Sequence, residues 1–466
     1  MKHWAIIVIL ALALFLRVYR AGELTGFYFD QGRDAKIIWN LWHNHKFFLI
    51  GPVTGIEGIF LGPFYYYLIA PAYLLGQGNP VFASFELALL NVVGIYVIYL
   101  IGKEYFNYKT GLLAALLISL SFNLTLDHRW LSNPTPLPLF SALTFFALLK
   151  NKWWLLGLGL GLCLQLEAAS AIFFIPAIVF TLVWQKKRPS FVGFGLFLVT
   201  LVPQIYFNFR HGNILFKAFE KFLIAEKSFR PEFGNFYIER LKFYYDSFSV
   251  KISPDANLSI VLAIFILVLA AIYIRKLPHR PIAIMLVWIL TPLILLMFYH
   301  GNNGYVWAYY FTGIYSVFIL LVAALLAKTS RIFLSLFLIF FIISNIYQLK
   351  AYLTTSLERL PDITLGSSLA AVDWVYKNSV SSPFNIDVYV PPVIAHSYDY
   401  LFLWRGSTKY HVQPVTDLQP LLYTLYEVDL PHPERLDAWL IRQASYAFVE
   451  DQVHFGGVTV ERRNRI

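Results

Sequence analysis

The chain has 466 residues, 58% hydrophobic and only 14% charged, and its mean hydropathy is +0.60. Soluble chains carry about 25% charged residues, so the composition excludes a soluble globular protein and indicates a polytopic α-helical membrane protein. The formal charge of +10 is spread over connecting segments without a basic–aromatic repeat, which speaks for topology signals and anionic lipid and against a nucleic-acid partner.

The first segment, "MKHWAIIVILALALFLRVYR", starts basic and continues apolar. It ends in Arg17 and Arg20, not in a small-residue cleavage site, and reads as a retained first span. Apolar runs follow at 81–101, 109–126, 135–149, 153–165, 168–184, 190–207, 258–275, 281–299, 306–327 and 331–349. With 4–19 these predict about 11 transmembrane helices. The short connections 102–109, 150–152, 185–188, 275–280 and 327–331 are basic and alternate with 127–134, the long loop 208–257 and 300–306. Placing the basic set in the cytoplasm puts the N-terminus inside and everything after 350 outside. That assignment needs 153–184 to be a hairpin broken near "QLE" (165–167), because lysines flank both of its ends. Cys163, the single cysteine, lies in an apolar run and reads as inert packing.

Segment 20–80 is predicted to be external and ordered. "DAKIIWNLWHNH" (34–45) has helical apolar spacing and should lie in the interface, and "GPFYYYLIAPAYLLG" (62–76) is too short to span. The loop 208–257 is expected to hold amphipathic helices, among them 216–229. After 350 the pattern changes to a soluble α/β domain (350–466), with a helix over 367–379 and strands at 384–392, 398–404, 445–451 and 457–463.

The polar residues that stand out lie at the outer ends of spans. They are Asp30, Arg33, Asp34, Glu57, Asp127, Arg129, Asn133, Glu167, Arg210 and His300, with Tyr67 on the short external helix. Ionisable groups at membrane depth are costly and mark functional sites. An interfacial carboxylate can serve as general base for a hydroxyl or amine, and arginines grip phosphate by charge-assisted hydrogen bonds. Grooves between spans can hold a lipid tail. The same residues also read as a salt-bridged turn at Asp30–Asp34, an interface anchor at Tyr67 and ordinary surface histidines. The residues name no cofactor. A divalent cation on one of the carboxylates is the open option, and no ligand spacing specifies it.

The order of these motifs resembles the C-type integral-membrane glycosyltransferases (glycosyltransferase family 39-like), more narrowly the bacterial relatives of protein O-mannosyltransferases and of the lipid A aminoarabinose transferase. In "FDQGRDA", Asp30 matches that family's catalytic aspartate, Gln31 replaces its second acid, and Arg33 matches an arginine of the aminoarabinose branch. Pro63 and Tyr67 fit a Pro-x-x-x-Tyr external helix, and "RWLSNP" (129–134) is similar to an Arg…Asn-Pro element. Besides Gln31, Glu167 and "YYF" (309–311) depart from the pattern, standing where similar sequences carry histidine or a His-Tyr pair.

The resemblance implies a polyprenyl-phosphate sugar donor, a glycan, lipid or protein acceptor on the outer face of the cytoplasmic membrane, and inversion at the sugar carbon. The expectation is therefore a transmembrane core (1–349) with Asp30 as general base. Arg33, Arg129 and Arg210 are expected at the lipid phosphate, and Asp34, Glu57, Asp127 and Glu167 position sugar or acceptor. A polyprenyl-diphosphate glycan ligase and a transporter of lipid-linked sugars are the alternatives.

Overall fold

The computed structural model describes residues 4–230, 235–301, 304–357, 363–380, 382–391 and 394–466. Lys2 of the basic start, 231–234 of the long loop, 302–303 of the 300–306 connection and 392 at the end of a predicted strand lie outside the described residues.

Each of the eleven apolar runs forms helix. Among the described residues, six helices are long and apolar enough to cross a bilayer: Pro80–Tyr105, Phe191–Arg210, Ala256–Lys276, His279–Leu296, Ala308–Leu326 and Arg331–Thr354. Trp4–Val18, Leu137–Lys150, Trp153–Leu166 and Ala168–Trp184 are shorter apolar helices. The remaining run is a bent pair, Tyr108–Leu120 and Phe122–Arg129, turned by 66°.

The bend frees backbone groups that must find partners in an apolar setting. Arg17 from the first helix donates to Ile118 O (3.1 Å) and Ser119 O (3.3 Å) before the break. Asn345 Oδ1 accepts from Phe122 N (2.8 Å) after it, and Ser121 Oγ accepts from Leu124 N. Buried Arg17 therefore serves the backbone and is not a membrane-edge residue.

The basic connections gather on one side. Arg280 donates to Gln185 Oε1 (2.9 Å), Lys150 pairs with Glu104, and the Lys150 ammonium lies 5.8 Å from the Tyr105 ring centre. Segment 153–184 therefore leaves that side and returns to it, with its break at Glu167, which is extended between two helices. Its limbs lean on different neighbours. Trp153–Leu166 packs on Leu137–Lys150 and Phe191–Arg210, and Phe174–Trp184 packs on His279–Leu296. The first of these contacts is close enough that a Cβ on Gly157 would run into the Gly193 carbonyl.

The C-terminal part, 363–466, is an α/β unit with a four-stranded sheet. Its strands are β1 (Asn385–Tyr389), β2 (Leu421–Glu427), β3 (Ala447–Phe455) and β4 (Val458–Arg465), in the order β1-β2-β4-β3. β1 and β2 run parallel and the other pairs antiparallel. The predicted strand 398–404 is instead helix His396–Arg405. Its aromatic residues favour strands in isolation, yet Tyr398, Tyr400, Phe402 and Trp404 are all buried, because the helix is covered on more than one side.

One of those sides is the helix that carries Asp30. A Cβ on Gly32 would come within 2.3 Å of the His396–Ser397 backbone, so the absence of a side chain there permits the docking. Tyr400 Oη donates to Gly78 O (2.5 Å), Trp404 Nε1 to Gln77 O (2.9 Å) and Leu365 N to Thr25 O (2.7 Å). The C-terminal unit is thus built onto segment 20–80.

Candidate functional site

A helix runs from Phe29 to Asn44, so it begins five residues earlier than the apolar spacing predicts. Asp30 lies in its first turn, where a negative charge suits the helix N-terminus. Gln31 explains the early start. Its Oε1 accepts the Tyr28 N–H (3.0 Å), and its Nε2 donates to Leu131 O (3.0 Å). A carboxylate could make the first bond but not the second. The amide therefore ties this helix to the 129–136 loop.

Arg33 joins the two aspartates. Its Nη1 lies 2.8 Å from Asp30 Oδ1, and its Nε and Nη2 donate to Asp34 Oδ1 at 2.9 and 2.8 Å. Asp34 also accepts from Tyr66 Oη (3.0 Å). Burial lifts the Asp34 carboxyl to about 6, against the opposing pull of Arg33 and Tyr66. Burial alone would lower the Arg33 pKa, but Asp34, Tyr66 and Asp30 together hold it above its ordinary value. Asp34 is therefore a buried anchor for Arg33, and the Asp30 side chain, 55% exposed, projects beyond it.

Asp30 lines a cavity of about 830 Å³. Its polar wall comes from the connections between helices: Asn133, Glu167 at the apex of the broken hairpin, and Tyr309 and Tyr310. Its apolar wall comes from the spans, with Leu164, Ile175, Leu201 and Leu295 among the contributors. Glu167 is 7% exposed. Its Oε1 accepts from Ala169 N (3.1 Å) and its Oε2 from Asn133 Nδ2 (3.3 Å). Burial lifts this carboxyl to about 7, with the Ala169 and Asn133 bonds opposing.

The other expected residues lie elsewhere. Among the described residues, no lysine or arginine lines the cavity. Arg129 Nη1 donates to Leu16 O, Arg17 O and Tyr19 O, each at 3.0 Å, and so closes the C-terminus of the first helix. The guanidinium lies over the Tyr352 ring at 5.4 Å. In this structure Nη1 caps the first helix, and Arg129 lies outside the cavity that holds Asp30. We expect Arg129→Ala to lower stability by about 1–3 kcal/mol and to leave affinity for lipid phosphate unchanged. Thermal unfolding and a lipid-binding titration on the same variant check this.

Arg210 is exposed at the end of Phe191–Arg210. Glu57 is 93% exposed and faces Lys221 at 3.6 Å. Tyr67 Oη donates to Phe48 O (2.9 Å) and fixes an external turn. The His300 ring stacks on Phe236 (4.4 Å), and its backbone N–H donates to Ser228 O (2.7 Å), holding two connections together. Asp127 pairs with Lys251 Nζ (2.6 Å) in a side pocket of about 50 Å³ that shares Trp130, Pro134 and Tyr309 with the main cavity. Lys251 is a buried cation that the sequence reading passed over as one charge among many in 208–257. Among the described residues, no three His, Cys, Asp or Glu side chains gather as a metal-ligand group.

Residues 61–207 match the family described as dolichyl-phosphate-mannose-protein mannosyltransferase. No curated protein matches the chain in sequence. Among solved structures, the chain is similar to ArnT from Cupriavidus metallidurans bound to undecaprenyl phosphate, with TM-score 0.63 and 12% identity over 99% of this chain and 98% of that one. The apo form of ArnT gives TM-score 0.63 and 12% identity over 98% and 97%. The archaeal oligosaccharyltransferase AglB from Archaeoglobus fulgidus gives TM-score 0.45 and 12% identity over 96% and 72%. The chain has the C-type glycosyltransferase membrane fold, with a small C-terminal sheet domain.

Proposed function

We propose that this chain is a membrane glycosyltransferase that moves a sugar from a polyprenyl-phosphate donor to a glycan, lipid or protein acceptor at the outer face of the cytoplasmic membrane. The observation that carries this is the cavity itself. It combines a carboxylate held by Arg33 with an apolar wall built from the spans. Two further facts support it: the mannosyltransferase-family match over 61–207 and the undecaprenyl phosphate bound by ArnT, which has the same fold.

In this reading Asp30 takes the proton of the acceptor's hydroxyl or amine. The acceptor's electron pair forms the new bond at the sugar's anomeric carbon. The bond between the anomeric carbon and the phosphate oxygen breaks, and the lipid phosphate leaves with the electrons of that broken bond. Arg33 fixes the direction of Asp30 and is not itself the phosphate ligand. Lys251, in the adjoining side pocket, is the cation this reading assigns to the leaving phosphate. Orientation follows the basic connections: N-terminus inside, C-terminal unit outside.

The experiment is purification in native lipid followed by mass spectrometry. A retained polyprenyl phosphate, displaced by added polyprenyl phosphate of another length, is the expected result. Protein that neither retains nor takes up any such lipid would remove the basis of the reading.

A further inference from the structure

The proposed reaction brings a phosphate into a cavity whose described wall carries two carboxyl groups, Asp30 and Glu167, and no lysine or arginine. Three like charges in a low-dielectric cavity repel strongly. Lys251, in the side pocket, offsets this only in part, because Asp127 already shares its charge at 2.6 Å. Asp30 has its own cation, Arg33.

Glu167 has none. Its Oε1 accepts a backbone N–H. Its Oε2 has only the long 3.3 Å contact from Asn133, whose shorter bond, 2.7 Å, goes to Leu166 O. The titratable groups facing it are Tyr309 and Tyr310. The neighbouring helices Trp153–Leu166, Phe174–Trp184 and Thr312–Leu326 contain no charged residue.

We infer that Glu167 acts as a neutral carboxylic acid whose Oε2–H donates a hydrogen bond to a phosphate oxygen of the donor, making it a donor-binding residue distinct from the base Asp30. This rests on the glycosyl-transfer reading above. Oε1 caps the short helix Ala168–Ala171, and Glu167 lines the cavity at the hairpin apex. Burial with no cation supplies the protonation this role requires.

The test measures binding of methyl polyprenyl phosphate, a phosphodiester whose own charge does not change around neutrality. Wild-type affinity should fall as pH rises through about 7, because the protonated form is the donor. Glu167→Gln keeps an uncharged donor, so its affinity should stay within a few-fold of the wild-type acid-side value and become independent of pH. Glu167→Ala should bind about tenfold more weakly. A wild type without pH dependence, or a Gln variant as weak as Ala, overturns the inference while leaving the transferase reading in place. Failure of the wild type to bind the diester at any pH overturns both.

Discussion

Asp30→Asn should lower sugar transfer by about 10²–10⁴-fold, the usual contribution of a positioned general base. The substitution is nearly isosteric. Asparagine Oδ1 can still accept from Arg33, so the 2.8 Å contact survives in geometry but not in charge. An amide cannot take the acceptor's proton, and the other carboxyl group described on the cavity wall, Glu167, is buried and bonded to Ala169 N; Asp127, in the side pocket, is tied to Lys251. Donor affinity should change little, because the apolar wall is untouched. Stability should change little as well, since Asp30 is more than half exposed and such ion pairs contribute about 0–1 kcal/mol. Steady-state transfer beside lipid binding separates these terms. Loss of both together would make Asp30 a structural residue.

Arg33→Met should cost about 3 kcal/mol of stability, because it leaves the buried Asp34 carboxylate with Tyr66 alone. It should also slow transfer by releasing Asp30. The pH dependence identifies the cause. In the intact protein the Asp34 carboxyl is raised from 3.8 to about 6, so its contribution to stability falls as pH rises across that window. Without Arg33 the folded-state value rises further, because the only cation opposing burial is gone. The variant's deficit is then largest above that value and shrinks on acidification, as Asp34 takes up a proton. Unfolding measured on both proteins on either side of neutrality should show the gap narrowing at the acid side. A gap independent of pH would mean that Arg33 acts through packing on Phe29 and not through Asp34.

Much of the fold was legible because the bilayer permits few solutions. Each apolar run became helix, and basic residues at both ends of 153–184 correctly announced a return path broken at Glu167. The bend at Ser121 was not legible. It depends on Arg17 and Asn345, which reach it from distant parts of the chain. The helix 396–405 was misread because its aromatic run looks like a strand until the surfaces covering it are known.

At the site, Asp30 and Glu167 could be found from their position at the outer ends of spans, and both line the cavity. The arginines were harder to place from the sequence, for a definite reason. A sequence shows that an arginine stands at a boundary but not whether carbonyls or a ligand will satisfy it. Arg129 spends one nitrogen on three carbonyls of another helix. Gln31, a puzzle as a replacement for an acid, is explained by two bonds that need both an acceptor and a donor. The aromatic positions Tyr309 and Tyr310, noted only as departures from a pattern, turn out to face Glu167 across the cavity.

The central claim is that Asp30 deprotonates the acceptor for a single displacement at the donor's anomeric carbon. The most direct measurement is the anomeric configuration of the product when the protein is given a polyprenyl-phosphate sugar of defined configuration and an acceptor. Inversion, with free polyprenyl phosphate released in equal amount, is the predicted result. Retention of configuration, or sugar bound covalently to Asp30, would contradict it.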